Sequence, residues 1–299
     1  MPEGLRERYN GHSMVGELQR VLVCSPRTAG WDDPAAVGRW RDLGFLRPPD
    51  FHRAQAQHDA LCRMLVATGA EVLHMLSSPN LTLDAVYAHD AALPTDFGLI
   101  AMHAGKENRL AESRQQREFC ESIGISTLGA IQASGKTEAG DMVWLDSVTL
   151  LIGNGYRTNL SGISQMRDLL QPHGVEVLTA PLPYGQGPSA CLHLMSLISL
   201  LDQKTALVDL PWLAVGTIEL LKSRSYSFVE IDPSERETLA CNVLALGNRR
   251  LVALEENHKT NQRLRDAGFE VHTFPGSEIC INGSGGPTCL TRPLLRGNS

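Results

Sequence analysis

The sequence predicts an α/β fold in which five strand–strand–helix–strand units close into a ring around a central channel, in the manner of a propeller. Three observations predict it. A helical stretch, a breaker residue and a short β-branched strand recur five times along the 299 residues. Apolar strands that precede a helical segment occur the same number of times. A chemically reactive side chain follows each breaker at a similar distance.

The breakers are glycine in four units and serine in the fifth, at Gly69, Gly124, Gly174, Ser225 and Gly268. A glycine that ends a helix before a strand adopts the left-handed conformation that most other residues avoid. The four glycines therefore fit the helix C-cap that each unit requires. Successive breakers lie between 43 and 55 residues apart, which is the size of one such unit.

The apolar strands lie at 20–25, 98–104, 149–155, 205–211 and 250–256. The alternation of strands and helices also permits a doubly wound parallel sheet. However, the segment 141–153 has the pattern of an antiparallel hairpin, which a purely parallel sheet lacks. The hairpin favours the ring of ββαβ units.

Two helices are predicted from apolar residues at helical spacing. The first covers residues 58–68, directly before one of the breakers. The second covers residues 160–171, and Thr158 and Asn159 are its candidate N-caps.

Residues 25–54 are the one loop-like stretch, and they are rich in Gly, Pro, Asp and Trp. Loops of this length in a compact domain are typically lids or binding loops, and a plain surface excursion is the alternative. No low-complexity linker divides the chain, and the five units account for its length. We therefore predict a single domain over residues 1–299, with residues 25–54 as a lid loop.

Composition narrows the classes of partner. The net charge of −6 argues against nucleic acid as the main partner. The longest apolar run, 192–201, is too short for a bilayer span of about 20 residues, and we expect no signal peptide and no membrane partner. Seven cysteines without a C-x-x-C pair argue against a disulfide framework and a structural zinc site. Free thiols favour a cytoplasmic location.

Each unit carries one or two reactive side chains after its breaker, namely Asp90, Glu138 with Asp141, His193, Asn242 and Cys289. Equivalent positions in a ring converge on its axis, so we expect a thiol, an imidazole and carboxylates around one channel. A thiolate can attack, a histidine can shuttle protons and carboxylates can hold a cation. The alternatives are a core histidine, a buried structural thiol and carboxylates in turns. These residues all lie at a similar distance after the breaker of their unit, and this regularity favours a shared functional site.

Cys289 has a distinctive setting. It follows Gly283, Gly285 and Gly286, and glycines allow tight turns and close approach to a ligand. Cys280, the competing thiol, lacks this setting. Dinucleotide, phosphate-binding and zinc-protease motifs are absent from the sequence, and we expect neither a metal nor a cofactor.

Five motifs together resemble those of the guanidino-group-modifying enzymes, the pentein superfamily, from about Met14 to Arg296. They are LDAVYAHDAAL, TEAGD, GNGYRTN, LHLMS and GGPTCLTRP. Within the superfamily the chain most resembles dimethylarginine dimethylaminohydrolases. Arginine deiminases and amidinotransferases share the fold but are typically longer. The resemblance implies a pentein α/β-propeller and hydrolysis of an N-methylated arginine to citrulline and a methylamine, through a thiouronium on cysteine.

The resemblance also implies a role for each matching residue. Catalytic roles go to Cys289 as nucleophile, His193 as general acid and base, and Glu138. Substrate-binding roles go to Asp90, Asp84, Arg109, Arg157, His89 and Asn242, and a structural role to Asp141. The carboxylates of Glu138 and Asp90 would grip the guanidinium, Asp84 the amino-acid end, and the two arginines the α-carboxylate.

Three positions depart from the family pattern. His89 stands before Asp90 where an acid is usual, Ala139 replaces a glycine, and Thr288 precedes Cys289 where deiminases often have histidine. The missing acid weakens the charge complementarity to a guanidinium. Arginine deiminase, arginine dihydrolase, amidinotransferase and a non-catalytic guanidine-binding protein stay open. The expected partner is a small guanidino amino acid, and the sequence leaves a homodimer open.

Overall fold

Five three-stranded sheets surround a common axis in the computed structural model, which describes residues 9–188 and 190–297. Every sheet has the same plan. An inner strand pairs antiparallel with a central strand, and the central strand pairs parallel with an outer strand. The predicted ring of five ββαβ units is confirmed.

The strands are β1 (Leu18–Val23), β2 (Glu71–His74), β3 (Ala92–Thr95), β4 (Gly98–Ala101), β5 (Thr127–Ala130), β6 (Met142–Asp146), β7 (Thr149–Asn154), β8 (Glu176–Pro181), β9 (Ile198–Leu200), β10 (Thr205–Val208), β11 (Ser227–Glu230), β12 (Leu244–Gly247), β13 (Arg250–Leu254), β14 (Glu270–Phe274) and β15 (Thr291–Arg296). From inner to outer strand, the sheets are β15-β1-β2, β3-β4-β5, β6-β7-β8, β9-β10-β11 and β12-β13-β14. The last strand of the chain thus completes the first sheet and closes the ring.

The described residues form α-helices α1 (Pro34–Val37), α2 (Trp40–Leu43), α3 (Phe51–Ala67), α4 (Leu110–Ser122), α5 (Leu160–Leu170), α6 (Val215–Ser223) and α7 (His258–Asp266). Helices α3 to α7 each connect a central strand to its parallel outer neighbour, a crossover that two parallel strands require. None of the helices in the described part of the chain is long and apolar enough to cross a membrane.

All five predicted breakers lie between such a helix and its outer strand, and all five have positive φ. The values are 96° at Gly69, 88° at Gly124, 81° at Gly174, 64° at Ser225 and 83° at Gly268. The glycine C-caps are confirmed. Ser225 adopts the same left-handed conformation although it lacks the freedom of glycine.

The helix predicted at 58–68 is longer than its sequence pattern suggests. Helix α3 begins at Phe51, because the Asp50 side chain accepts a hydrogen bond from the Arg53 amide at 3.1 Å. The last residues of the predicted loop therefore belong to this helix. In α5, Asn159 is the N-cap and accepts from the Gly162 amide at 2.8 Å, whereas Thr158 is not.

Residues 25–54 pack against the first sheet and contain the short helices α1 and α2. Trp31 is buried, and its indole N–H donates to the Leu83 carbonyl at 3.0 Å. Leu43 and Phe45 are buried in the same apolar core. The assignment of this segment as a lid stays a prediction.

The five inner strands line one cavity on the axis. A predicted site residue lies just before each of them, since Asp90, Glu138, His193, Asn242 and Cys289 precede β3, β6, β9, β12 and β15. The repeat thus delivers one reactive side chain per unit to the same end of the axis.

Candidate active site

Asp90 is held by two donors at the start of β3. Its Oδ2 accepts from Arg109 Nη1 at 2.6 Å, and its Oδ1 accepts from the Gly140 amide at 2.9 Å. Gly140 has to lack a side chain, because a Cβ there would lie 2.7 Å from both Asp90 Oδ1 and His193 Nδ1. The glycine of the E-A-G-D motif thus allows the side chains of Asp90 and His193 to pack directly against the backbone of residue 140.

Glu138 and His193 form a buried pair. His193 Nε2 lies 2.7 Å from Glu138 Oε2, and the residues are 2% and 0% exposed. Glu138 Oε1 also accepts from the Gly105 amide at 2.8 Å. Asp141 Oδ1 accepts from the Leu194 amide at 2.9 Å and so holds the turn that carries His193.

The charges of this cluster reinforce one another. Burial opposes ionisation of Glu138, but its hydrogen bond with His193 and the positive charges of His193 and Arg109 outweigh burial and lower the pKa of Glu138 to about 2. Burial likewise opposes protonation of His193, yet the charges of Asp90 and Cys191 raise its pKa well above the ordinary value. Glu138 is therefore a carboxylate and His193 an imidazolium at neutral pH.

Cys289 is half-buried at the start of β15, and its Sγ accepts from Asn242 Nδ2 at 3.3 Å. Asn242 Oδ1 accepts from the Thr288 amide at 3.0 Å, so one amide side chain holds both the thiol and the loop before it. Burial and the negative charge of Asp90 raise the pKa of Cys289 to about 12. The protein without substrate therefore carries Cys289 as a neutral thiol.

The glycines before Cys289 pack against protein side chains. A Cβ on Gly283 or Gly285 would collide with the ring of Tyr87, and one on Gly286 would collide with Asn242. The sequence suggested close approach to a ligand. The structure instead shows close approach to Tyr87 and Asn242, which fixes the loop that carries the thiol.

The two predicted carboxylate-binding arginines differ in their surroundings. Arg109 makes four short contacts of 2.6 to 2.9 Å, to Asp90, Glu112 and the Tyr87 carbonyl. Arg157 makes only long contacts of 3.4 to 3.5 Å, to Glu138 and the Ala190 carbonyl. Most donors of Arg109 are thus engaged, and Arg157 is the better placed of the two to take a new anion.

Asp84 and His89 are also engaged by protein groups. Asp84 Oδ2 accepts from Asn108 Nδ2 at 2.9 Å and lies 3.5 Å from Lys106 Nζ. His89 Nδ1 donates to the Thr291 carbonyl at 2.8 Å, and burial lowers the pKa of His89 to about 3. The contacts of this neutral ring are structural, so its predicted role in substrate binding stays a prediction without support from geometry.

Cys191 is a neighbour of the site that sequence reasoning missed. Its Sγ lies 3.9 Å from Nδ1 of His193, on the side of the ring opposite Glu138. Burial opposes its ionisation, but the charges of His193 and Arg157 lower the pKa of Cys191. Its position two residues before His193 was the only signal in the sequence.

Asp90, Glu138 and His193 are the one group of potential metal ligands within the described residues, with ligand atoms inside 4.8 Å of one another. However, Asp90 already accepts hydrogen bonds from Arg109 and the Gly140 amide, and Glu138 is hydrogen-bonded to His193. The negative charges of the two carboxylates are thus balanced by the positive charges of Arg109 and His193.

The chain is similar to known proteins over most of its length. The arginine deiminase family model matches residues 211–296. The uncharacterized protein YkgA of Bacillus subtilis is 25% identical over 94% of this chain and 93% of its own length. The N(G),N(G)-dimethylarginine dimethylaminohydrolase of Streptomyces coelicolor is 28% identical over 81% of this chain and 86% of its own length.

A solved structure has the same fold. It is DDAH from Pseudomonas aeruginosa, a cysteine-to-serine mutant complexed with citrulline. The two chains align with a TM-score of 0.74 at 23% identity, over 94% of this chain and 99% of that one.

Proposed function

We propose that the chain, which is similar to enzymes of the guanidino-group-modifying, or pentein, superfamily, is a cysteine-dependent hydrolase of a guanidino amino acid. The substrate we propose is an N-methylated arginine, and the products are citrulline and a methylamine. The dimethylarginine dimethylaminohydrolases among the relatives support this choice.

One observation carries the proposal. An imidazolium, His193, is bonded to the carboxylate of Glu138, and its charge reaches the half-buried thiol of Cys289. This combination suits covalent catalysis, because it offers a nucleophile, an acid and an anion that keeps the acid protonated.

The first half-reaction begins with binding of the guanidinium cation beside the carboxylates of Asp90 and Glu138. Since the thiol of Cys289 is neutral in the protein alone, the bound cation has to favour the thiolate by its charge, and the thiol proton is released to solvent. The thiolate then attacks the guanidinium carbon, and the C–N bond to the methylated nitrogen breaks. His193 donates its proton to the departing amine, and a thiouronium remains on Cys289.

The second half-reaction hydrolyses the thiouronium. His193, now neutral, takes a proton from water, and the hydroxide adds to the same carbon. The C–S bond breaks, the proton of the added hydroxyl group passes to the sulfur, and citrulline leaves with Cys289 restored as a thiol. Asn242 stabilises the sulfur as it leaves, because its Nδ2 already donates to Sγ at 3.3 Å.

The amino-acid end of the substrate binds to Arg157 and Asp84 in this proposal. Arg157 is loosely held by Glu138 and the Ala190 carbonyl and can pair with an α-carboxylate. The α-ammonium group competes with Lys106 for Asp84. We assign Arg109 to hold Asp90 in place, and Asp141 to hold the turn of His193.

A substrate panel with product identification tests the proposal. Arginine, mono- and dimethylarginines and guanidino acids are incubated with the protein, and ureido products and amines are quantified. We expect citrulline and methylamine from methylated arginines. Cys289→Ser should abolish turnover without unfolding, whereas Cys62→Ser, on helix α3, serves as the matched control that keeps it.

Other products would assign a different reaction. Citrulline with ammonia from arginine would indicate a deiminase, which the match of residues 211–296 to that family favours as the second candidate. Ornithine with ammonia would indicate a dihydrolase, and a transferred amidine an amidinotransferase. Saturable binding of every guanidine without product would leave a non-catalytic binding protein and refute the proposal.

A further inference from the structure

A small cavity lies on the ring axis, lined by residues of all five inner strands. Its volume is about 20 Å³. Asn10, Gly11, Ser13 and Met14 line one part of it. His89 and Thr288, the neighbours of Asp90 and Cys289, line another. A space of this size holds about one water molecule or one small ion.

The charge of this cavity is unbalanced. Its lining contains Arg292 and Arg296 but no aspartate or glutamate. The two arginines are 5% and 4% exposed, and neither is in an ion pair with a carboxylate of the described residues, although the charge of Asp90 partly offsets burial at Arg292. Burial lowers the pKa of Arg292 to about 9 and that of Arg296 to about 10, so both are charged at neutral pH.

The cavity also has unpartnered donors. Nη1 of Arg292 and Nη1 of Arg296 donate to backbone carbonyls, but the Nε atoms of both arginines are buried without an acceptor among the described residues. Nε1 of Trp144, another lining residue, is also buried without an acceptor. Buried N–H groups normally have partners, and a buried positive charge needs an anion or several dipoles.

We propose that the axial cavity binds a small monovalent anion, of halide size, between Arg292, Arg296 and the indole N–H of Trp144. An anion satisfies N–H donors and compensates the guanidinium charges together, whereas a water molecule supplies no charge. The volume suits one halide and excludes tetrahedral ions such as sulfate or phosphate.

The anion would support the candidate active site through the backbone next to Asp90 and Cys289. Arg292 Nη1 donates to the carbonyls of His89 and Ala92 at 2.9 Å. The His89 amide in turn donates to the Cys289 carbonyl at 3.0 Å. An ion that fixes Arg292 therefore also steadies the backbone on both sides of the site. The proposal does not depend on which guanidine is the substrate.

Anomalous diffraction from crystals grown in bromide tests the location. We expect a bromine peak inside the axial cavity, within hydrogen-bonding distance of Arg292 and Arg296. Density for water alone there, or bromine peaks only on the outer surface, would overturn the proposal.

Thermal unfolding tests the same site in solution, with bromide compared to sulfate at constant ionic strength. Because a ligand of the native state stabilises it by mass action, the Tm should rise by about 2–4 °C for each tenfold rise in bromide above its dissociation constant.

Arg296→Met should lose this shift, and Trp144→Phe, which keeps the ring and removes the donor, should weaken it. Arg114→Met is the matched loss of charge, because Arg114 is exposed on helix α4. An equal shift in Arg114→Met and Arg296→Met would refute the site, and Trp144→Phe decides the question if Arg296→Met does not fold.

Discussion

Glu138→Gln should weaken the fold in a way that depends on pH. The carboxylate of Glu138 is 0% exposed and pairs with His193 and Arg157, so the amide would remove one buried anion from beside two buried cations. The fall of its pKa from 4.5 to about 2 shows how strongly the native state prefers the carboxylate. That fall corresponds to about 3 kcal/mol of unfolding free energy.

The sign of the pH dependence follows from the direction of the shift. A carboxyl group with a lowered pKa in the native state stabilises the fold fully above pH 4.5, and this stabilisation is lost as the pH falls toward 2. The difference in unfolding free energy between the wild type and Glu138→Gln should therefore be about 3 kcal/mol at pH 7 and nearly vanish by about pH 2.

Urea unfolding at pH 7, 5 and 3, followed by circular dichroism, measures this difference. Glu112→Gln is the matched control, because Glu112 is also buried against Arg109, but burial raises the pKa of Glu112 to about 7. Ionisation of Glu112 therefore lowers the unfolding free energy of the wild type as the pH rises from 4.5 to 7, whereas Glu112→Gln has no group that ionises there. The difference in unfolding free energy between the wild type and Glu112→Gln should shrink over that range. A loss in Glu138→Gln that is the same at pH 7 and pH 3 would refute the reasoning.

Three further predictions concern the surroundings of the site. Cys191→Ser should move the basic limb of the kcat/KM profile to lower pH, since Cys191 raises the pKa of His193, while Cys62→Ser should leave the profile unchanged. Arg157→Ala should raise KM for amino-acid substrates about 10- to 100-fold more than for alkylguanidines without a carboxylate, and equal effects would contradict the assigned role. Lys106→Met removes the donor to the Leu43 carbonyl, so limited proteolysis within residues 34–46 should become faster, and an unchanged rate would exclude this tether.

The repeat and the positions of the reactive residues were predictable from sequence because both are local signals. A helix that ends in a left-handed residue is recognised in the sequence by a glycine, and an apolar strand by a run of Leu, Val and Ile. The reactive residue of each unit lies at the start of an inner strand, so counting from the breakers was enough to bring Asp90, Glu138, His193 and Cys289 to one axis.

Contacts between distant segments were not predictable in the same way. The glycines before Cys289 serve the packing of Tyr87, a residue almost two hundred positions away, and no local pattern reveals that. The pairing of Arg109 with Asp90 likewise depends on how α4 packs against β3. The start of α3 was missed because its first turns are polar and carry little apolar periodicity.

The identity of the nucleophile is the central claim, since two thiols, Cys289 and Cys191, lie near His193. Acid-quenched turnover with a methylated arginine, followed by peptide mass spectrometry, locates the covalent intermediate directly. We predict an adduct with the mass of the substrate less its amine on the peptide that contains Cys289. An adduct on the Cys191 peptide, or citrulline formed with no adduct on any cysteine, would contradict the account.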